Sequence, residues 1–522
     1  MLLRDHALLL AALLLISLSG CAASGQLFGD EPDARGTDSR PGDDDDAADD
    51  DDAANDDDAA NDDDSVLPIE LATGIDITAI SLNQSVQVML MEDEATSNNL
   101  PLVADRPGLL RLHLEPQDGW EPREIMGILR WDTGEDDVEP LELQQTLTPS
   151  GSSQDGSLGT TLNFLVPAEQ MRNGSNWSVQ LLETSGASGA GDNSRAQWPR
   201  DGEQELFLAY DPGVLRVLIV PIAYNADGSG RLPDTSAAQL QILSDWMYRI
   251  YPVDQIELVV DEPWDLSYAI APNGSGWGDL LYDMTDIRQS RNVPNDTYIY
   301  GMFRPAEGIG QFCGGGCVAG LSWRADNPND EWARASIGLG FSGEGTAGTM
   351  IHEIGHAHGR SHANCQVQDS DPNYPHSEGR LGVWGWDPIN QVLMSPDDNR
   401  DMMGYCSPRW VSDYTWSALL ERVNWVNSSA EWVATQPHLP WRVVGIGVDG
   451  VRSIRGTIQV SGTPSGEAVP VEWLDASGTV VSTQQGRMRF FQDVPGGALL
   501  VPEAPEGATS LRVDGEVLPL SR

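Results

Sequence analysis

From Val66 to about Tyr210 the chain alternates short apolar runs with Gly, Pro, Asn and Asp, as in Ser85 to Met91, Leu109 to Leu114, Thr160 to Val166 and Trp177 to Leu182. Short apolar runs bounded by turn formers predict strands, and their spacing predicts an all-β sandwich-like domain over 66–210. Gly186 to Arg200, rich in Ser and Gly, predicts an exposed loop. The pattern changes at Leu215. Leu215 to Ala223 is apolar apart from Arg216, with Pro221 near its end, and predicts a buried strand; Thr235 to Tyr251 carries apolar residues at helical spacing. Ile256 to Val260 and Thr297 to Phe303 predict further strands, and Trp277 to Gln289 a second helix. Ala335 to Phe341 predicts an edge strand, followed by a helix from about Thr346 to His358 and a closing helix from about Trp410 to Val426. Residues 211–430 therefore read as a mixed α/β (α+β) domain. Alternation returns in Ile454 to Val460, Val471 to Trp473 and Met488 to Phe491, predicting a small C-terminal β domain over 431–522, with no cysteine and no recognisable site. The fold class is multidomain, with the mixed domain flanked by β domains.

The N-terminus has a different character. Met1 to His6 lead into an almost unbroken apolar run, Ala7 to Leu18, too short to span a bilayer comfortably and ending in small residues as a cleaved secretory signal does. Leu18-Ser19-Gly20-Cys21 resembles a bacterial lipobox, which implies lipidation of Cys21; ordinary cleavage leaving a free Cys21 is the alternative. Ala22 follows, and by resemblance to the enterobacterial sorting scheme it implies the outer membrane, with the protein facing the periplasm or the cell surface. Gly42 to Ser65 are nearly all Asp, Ala and Asn, in blocks such as Asp43 to Asp46 and Asp49 to Asp52. Such a tract cannot bury a core and repels itself, so 22–65 predict a disordered, extended tether. Calcium binding by these carboxylates is the weaker reading. A second calcium-like run, Asn225 to Gly230, lacks the closing Glu and reads as a polar turn.

The formal net charge is −50, and fourteen of the negative charges lie in the tether, so the remainder is also strongly acidic and nucleic acid is excluded as a natural partner. Every strongly basic side chain is Arg. Besides Cys21 there are Cys313, Cys317, Cys365 and Cys406, an even number in an exported chain, which predicts two disulfides. Of three connectivities, Cys313–Cys317 across a glycine loop and Cys365–Cys406 are favoured over the others and over a structural zinc site.

The chemistry concentrates in His352-Glu353-Ile354-Gly355-His356-Ala357-His358-Gly359-Arg360-Ser361-His362, which fits HExxHxxGxxH. Residues four apart share a helix face, so His352 and His356 can present imidazoles to one zinc ion, with Glu353 beside it as general base. Gly359 falls where a left-handed residue ends the helix, which lets the chain turn back and bring in His362 as third ligand. Three protein ligands leave one zinc position open for water, the arrangement of a catalytic site. His358 is out of phase with this spacing and supports or lines the site. His376 and Asp413 are candidates for orienting a zinc histidine, with surface or packing roles equally open.

Together with Asp401-Met402-Met403-Gly404-Tyr405-Cys406, the zinc segment resembles the metzincin clan of metallopeptidases. The resemblance covers roughly Leu215 to Val426. It implies that Met403, or its neighbour Met402, forms an apolar floor beneath the histidines. By likeness to the astacin and serralysin branches, it also implies that Tyr405 either assists at the metal or is merely packed beside it. Ile77 to Leu114 more faintly resembles the region ahead of the catalytic domain in secreted bacterial metallopeptidases that cut mucin-type glycoproteins. The clan's cysteine latency device has no candidate, because no cysteine lies between Cys21 and Cys313; an aspartate or loop capping the metal, or an enzyme made active, are the alternatives. The expectation is a membrane-tethered zinc endopeptidase acting on extracellular or envelope proteins or glycoproteins; the competing reading is an adhesin whose zinc domain cuts little. Retention of Glu353 favours the enzyme.

Overall fold

The computed structural model describes residues 70–184, 189–208, 213–367 and 369–520. The signal, Cys21 and the acidic tract lie outside them, as does part of the Ser/Gly-rich loop. The chain is multidomain and mostly β, with five α-helices among the described residues: α1 (Ala237–Ile250), α2 (Trp277–Ser290), α3 (Ile309–Cys313), α4 (Glu344–Ala357) and α5 (Asp413–Thr435).

Two sheets built from the N-terminal strands turn their apolar faces into one core. Ile77, Ile80, Leu82, Leu112 and Phe164 of one sheet meet Leu129, Trp131, Trp177 and Leu181 of the other. Facing strands approach so closely at Gly127 that a Cβ there would lie 2.6 Å from Leu162 Cδ1. The first sheet holds something the periodicity did not reveal: Gly385–Asp387 pairs antiparallel with Ser85–Glu92, and Val392–Met394 continues outward from it. A hairpin from far along the chain thus extends the N-terminal sheet. Arg106, fully buried, adds a second tie by donating to the carbonyls of Tyr248, Tyr251 and Val253 at the C-terminal end of α1. Carbonyls there have no intrahelical partner, so a guanidinium is a fitting cap.

The central sheet runs Gln255–Val260, Val214–Tyr224, Thr297–Phe303 and Ala335–Leu339, all parallel, and ends in Gly320–Ser322, which is antiparallel. Tyr298, Tyr300 and Met302 face the core shared with α1 and α4, whereas Ile299 and Phe303 face α2, the period-2 split of a sheet covered on both faces. Ala335–Leu339 is therefore interior, and the edge belongs to Gly320–Ser322, three residues too short to register as alternation. The Asn225 to Gly230 run is the expected polar turn, with Asp227 Oδ1 accepting from Ser229 N. The closing helix α5 starts later and runs further than expected. Ser412 caps it by accepting from Thr415 N, and past Val426 Ser428 and Ser429 donate back to the carbonyls of Asn424 and Trp425 while Val426 and Val433 stay buried. Among the described residues no helix is long and apolar enough to cross a membrane.

The C-terminal strands form a seven-stranded antiparallel sheet in the order Arg452–Ser461, His438–Ile446, Gly497–Pro502, Val480–Phe490, Glu467–Leu474, Ser510–Val513, Glu516–Pro519. Trp441, Val443, Ile458 and Leu500 join the core around α2. Tyr282 of α2 donates to Gly497 O at 2.5 Å, and Arg489 forms a buried ion pair with Asp330 at 3.0 Å. This sheet is thereby fixed against the central one.

Candidate metal centre

Helix α4 carries the HExxHxxGxxH segment and is buried on most of its circumference. Ala347, Met350, Ile351 and Ile354 pack toward α1, Tyr251 donates to Ile351 O, and Ser336 of the central sheet donates to Glu353 O. The helix ends as the glycine requires. Gly359 has φ +83°, its N–H donates to His356 O at 2.7 Å, and Arg360 N donates to Gly355 O at 3.0 Å, the bond pair of a Schellman motif. A Cβ at Gly359 would also meet Ala325 O at 2.7 Å. The reversal carries the chain back to His362.

The imidazoles converge. His356 Nε2 lies 3.2 Å from His352 Nε2 and 3.2 Å from His362 Nε2. Donors placed tetrahedrally around one ion at about 2.0–2.1 Å stand about 3.3 Å apart, so the spacing fits zinc. The tautomers fit too: His352 Nδ1 donates to Met402 O at 2.8 Å and His356 Nδ1 to Arg360 O at 2.7 Å, which leaves the Nε2 lone pairs facing one another. The lone pairs of His352 and His356 at this distance repel unless a cation sits between them. Burial holds the His356 imidazole pKa well below its ordinary value, so the neutral, ligating form is favoured.

Glu353 is fully buried beside this focus, and its Oε2 has no hydrogen-bond partner among the described residues. Burial, and after it the negative charge of Asp493, push its carboxyl well above the ordinary range, while Arg409 opposes them. The carboxyl faces a cleft of about 440 Å³ lined by Gly316, Val318, Gly320, Thr349, Tyr405 and Arg409. The rim at Gly320 is tight, since a Cβ there would lie 2.3 Å from Glu353 Oε1.

Met402 and Met403 are both buried against the zinc helix at Gly355, where a Cβ would lie 2.4 Å from Met403 Sδ. Their turn is held by Asp401, whose carboxylate accepts from Met403 N at 2.8 Å and from Ser412 N at 2.9 Å. Both disulfides, Cys313–Cys317 and Cys365–Cys406, are formed, and Tyr405 N donates to Cys365 O beside the second. The Tyr405 ring lies 5.2 Å from the His362 ring and 5.7 Å from that of His352.

His358, expected to be out of phase with the ligands, is not among the converging groups: it stacks on Tyr298 at 4.2 Å, donates from Nδ1 to Ile354 O, and burial lowers its pKa to about 3. His376 and Asp413 pair with each other at 2.6 Å, and the Nδ1 atoms of His352 and His356 bond backbone carbonyls instead, so this pair orients neither of those histidines. The reading of the C-terminal region as siteless is overturned. Asp493, between Val480–Phe490 and Gly497–Pro502, joins His352, His356 and His362 as the group able to hold a metal, with Oδ1 3.1 Å from His362 Nε2. It accepts from Tyr405 OH at 2.7 Å, and burial together with this carboxylate pushes the phenol pKa up, keeping it a donor. Gln492-Asp493-Val494-Pro495-Gly496-Gly497 reads as an ordinary turn, and no spacing rule ties it to a histidine 131 residues earlier. Arg409 was also missed, being a single basic residue after the methionine turn.

This centre is of metallopeptidase type. The Peptidase M66 family model matches residues 323–407, a span that takes in the zinc segment and the methionine turn. No curated protein matches the chain. Among solved structures, "putative beta-galactosidase from bacteroides fragilis" is similar over 47% of this chain and 36% of that one, at 11% identity and a TM-score of 0.13; at that score it carries no argument. Over that span the chain is similar to a metallopeptidase family, which supports a peptidase.

Proposed function

We propose that the chain is a zinc-dependent, metzincin-like endopeptidase, exported, lipidated at Cys21 and held by the 22–65 tether at the outer membrane, where it hydrolyses extracellular or envelope proteins and glycoproteins. The observation that carries this reading is the convergence of three Nε2 atoms, those of His352 and His356 fixed in tautomer by backbone carbonyls, next to a buried carboxyl that faces an open cleft. Zinc at this focus supplies Lewis acidity toward a carbonyl and acidifies water. The protein's own groups do the rest. Glu353, whose environment raises its proton affinity, takes a proton from the attacking water and returns it to the leaving amine. His352 and His356 are held by Met402 O and Arg360 O so that they do not turn during the cycle. Tyr405, kept protonated, is a hydrogen-bond donor at the rim. The short strand Gly320–Ser322 and the disulfide loop before it form one wall along which an extended peptide can lie.

The test is zinc content and cleavage of a denatured protein and mucin panel by the purified chain beside Glu353→Ala. The wild type is expected to hold one zinc and cleave, and the variant to keep the zinc and lose cleavage by about 10²-fold or more. Equal cleavage by both refutes the base assignment. Absence of zinc from the wild type refutes the ligand assignment.

A further inference from the structure

Asp493 deserves a role because its position is built. The two oxygens of its carboxylate straddle the imidazole focus: Oδ1 lies 3.1 Å from His362 Nε2 and 3.7 Å from His352 Nε2, and Oδ2 lies 3.7 Å from His356 Nε2. With the 3.2 Å spacings among the histidines, four donors then surround one point at separations near those of a closed tetrahedron. The carboxylate side chain is 8% exposed, and its ion-pair partners among the described residues are these three imidazoles. A buried carboxylate with no guanidinium is costly unless a cation compensates it, and the point where the imidazoles converge is where that cation belongs.

The tip that carries Asp493 is pinned on both sides. Phe491 packs 5.2 Å from Trp323 and 6.4 Å from Tyr282, Gln492 Oε1 accepts from Arg324 Nη1 at 3.1 Å, and Gly497 O accepts from Tyr282. Gly496, at φ +110°, makes a turn in which a Cβ would meet Ile446 O at 2.4 Å. Tyr405 adds its hydroxyl to Oδ1 from the opposite wall of the cleft.

We propose that Asp493 is a fourth protein ligand, supplied by the C-terminal sheet, which closes the metal position that substrate must reach, so that the folded chain is held to a low basal rate of cleavage. The inference rests on the zinc reading above. Catalysis then requires the Asp493 side chain to leave the metal, which frees Tyr405 at the same moment.

The test loads the full chain with Co(II) in place of zinc and compares wild type, Asp493→Asn and Asp493→Ala by visible absorption, by acetohydroxamate titration, by the rate of metal loss to a chelator and by cleavage of a denatured protein. A closed site makes the wild-type spectrum resistant to acetohydroxamate. Both variants are expected to change the spectrum, bind acetohydroxamate at least about tenfold more tightly, lose metal at least about tenfold faster and cleave faster. Wild-type protein that binds acetohydroxamate as readily as the variants overturns the proposal, as do unchanged spectra or a variant that keeps its metal and cleaves less. The wild-type titration decides the matter even where a variant fails to fold. A wild type that binds no Co(II) overturns the zinc reading itself, whereas one that binds it with an open site overturns only the latch.

Discussion

Gly355→Ala tests whether the methionine turn is packed against the zinc helix. The added Cβ would lie 2.4 Å from Met403 Sδ, 3.1 Å from Met402 Cε and 3.3 Å from Met403 Cε. Ordinary contact needs about 3.5–4 Å, so the sulfur must retreat by more than about 1 Å. Little space receives it, because Met402 and Met403 are 0% and 1% exposed and their backbone is tied to Trp410 O, Asp401 and Ala363. Overpacking of this kind costs about 1–3 kcal/mol, while replacing glycine by alanine within a helix gains as much as about 1 kcal/mol. Gly345→Ala lies in the same helix with nothing within 4 Å of its Cβ, so it reports the gain alone. The two variants should therefore differ by about 1–3 kcal/mol in denaturant unfolding with chelator present. A second readout separates packing from the site: displacing Met402 O loosens the bond that orients His352, so zinc affinity should fall about 10–100-fold in Gly355→Ala and not in Gly345→Ala. Equal stability and equal zinc affinity would refute the floor.

Gly320→Ala should act on the carboxyl alone. Its Cβ would overlap Glu353 Oε1 at 2.3 Å and Cγ at 2.5 Å, and an offset near 1 Å costs about 10²-fold in kcat, with zinc content unchanged; an unaltered kcat sinks the assignment of Glu353. His113 should make the N-terminal sheets acid-sensitive. Burial first, then the neighbouring Arg111 charge, lower its pKa to about 4 against Asp155, so between about pH 6.5 and 4 the unfolded chain binds a proton that the folded chain refuses. Stability contributed at neutral pH, on the order of 3 kcal/mol, is lost as pH falls through that window. In His113→Gln the pH dependence of unfolding should be flatter there; an identical slope refutes it.

Much of the central architecture was legible because it is local. Thr297 to Phe303 and the helix at Trp277 announce themselves by periodicity, and His352, Glu353, His356 and Gly359 lie within one helix and its cap, where spacing dictates geometry. What escaped depends on contacts between distant segments. Gly320–Ser322 is too short to alternate, the pairing of Trp386 with Ser85 joins segments three hundred residues apart, and Asp493 sits in a turn whose residues satisfy turn chemistry whether or not a metal lies opposite.

The hairpin Gly385–Asp387 and Val392–Met394 has a consequence for how the protein comes to exist. During synthesis the N-terminus emerges first, yet one edge of the strand at Ser85 cannot be paired, nor Ser85 O receive the Trp410 indole from 325 residues away, until most of the polypeptide has followed. Pairings of such separation form slowly. The first sheet therefore waits, open-edged, for its last strands, and the emerging chain passes through a period in which chaperones and other proteases meet an unpaired strand edge before its own metal centre is assembled.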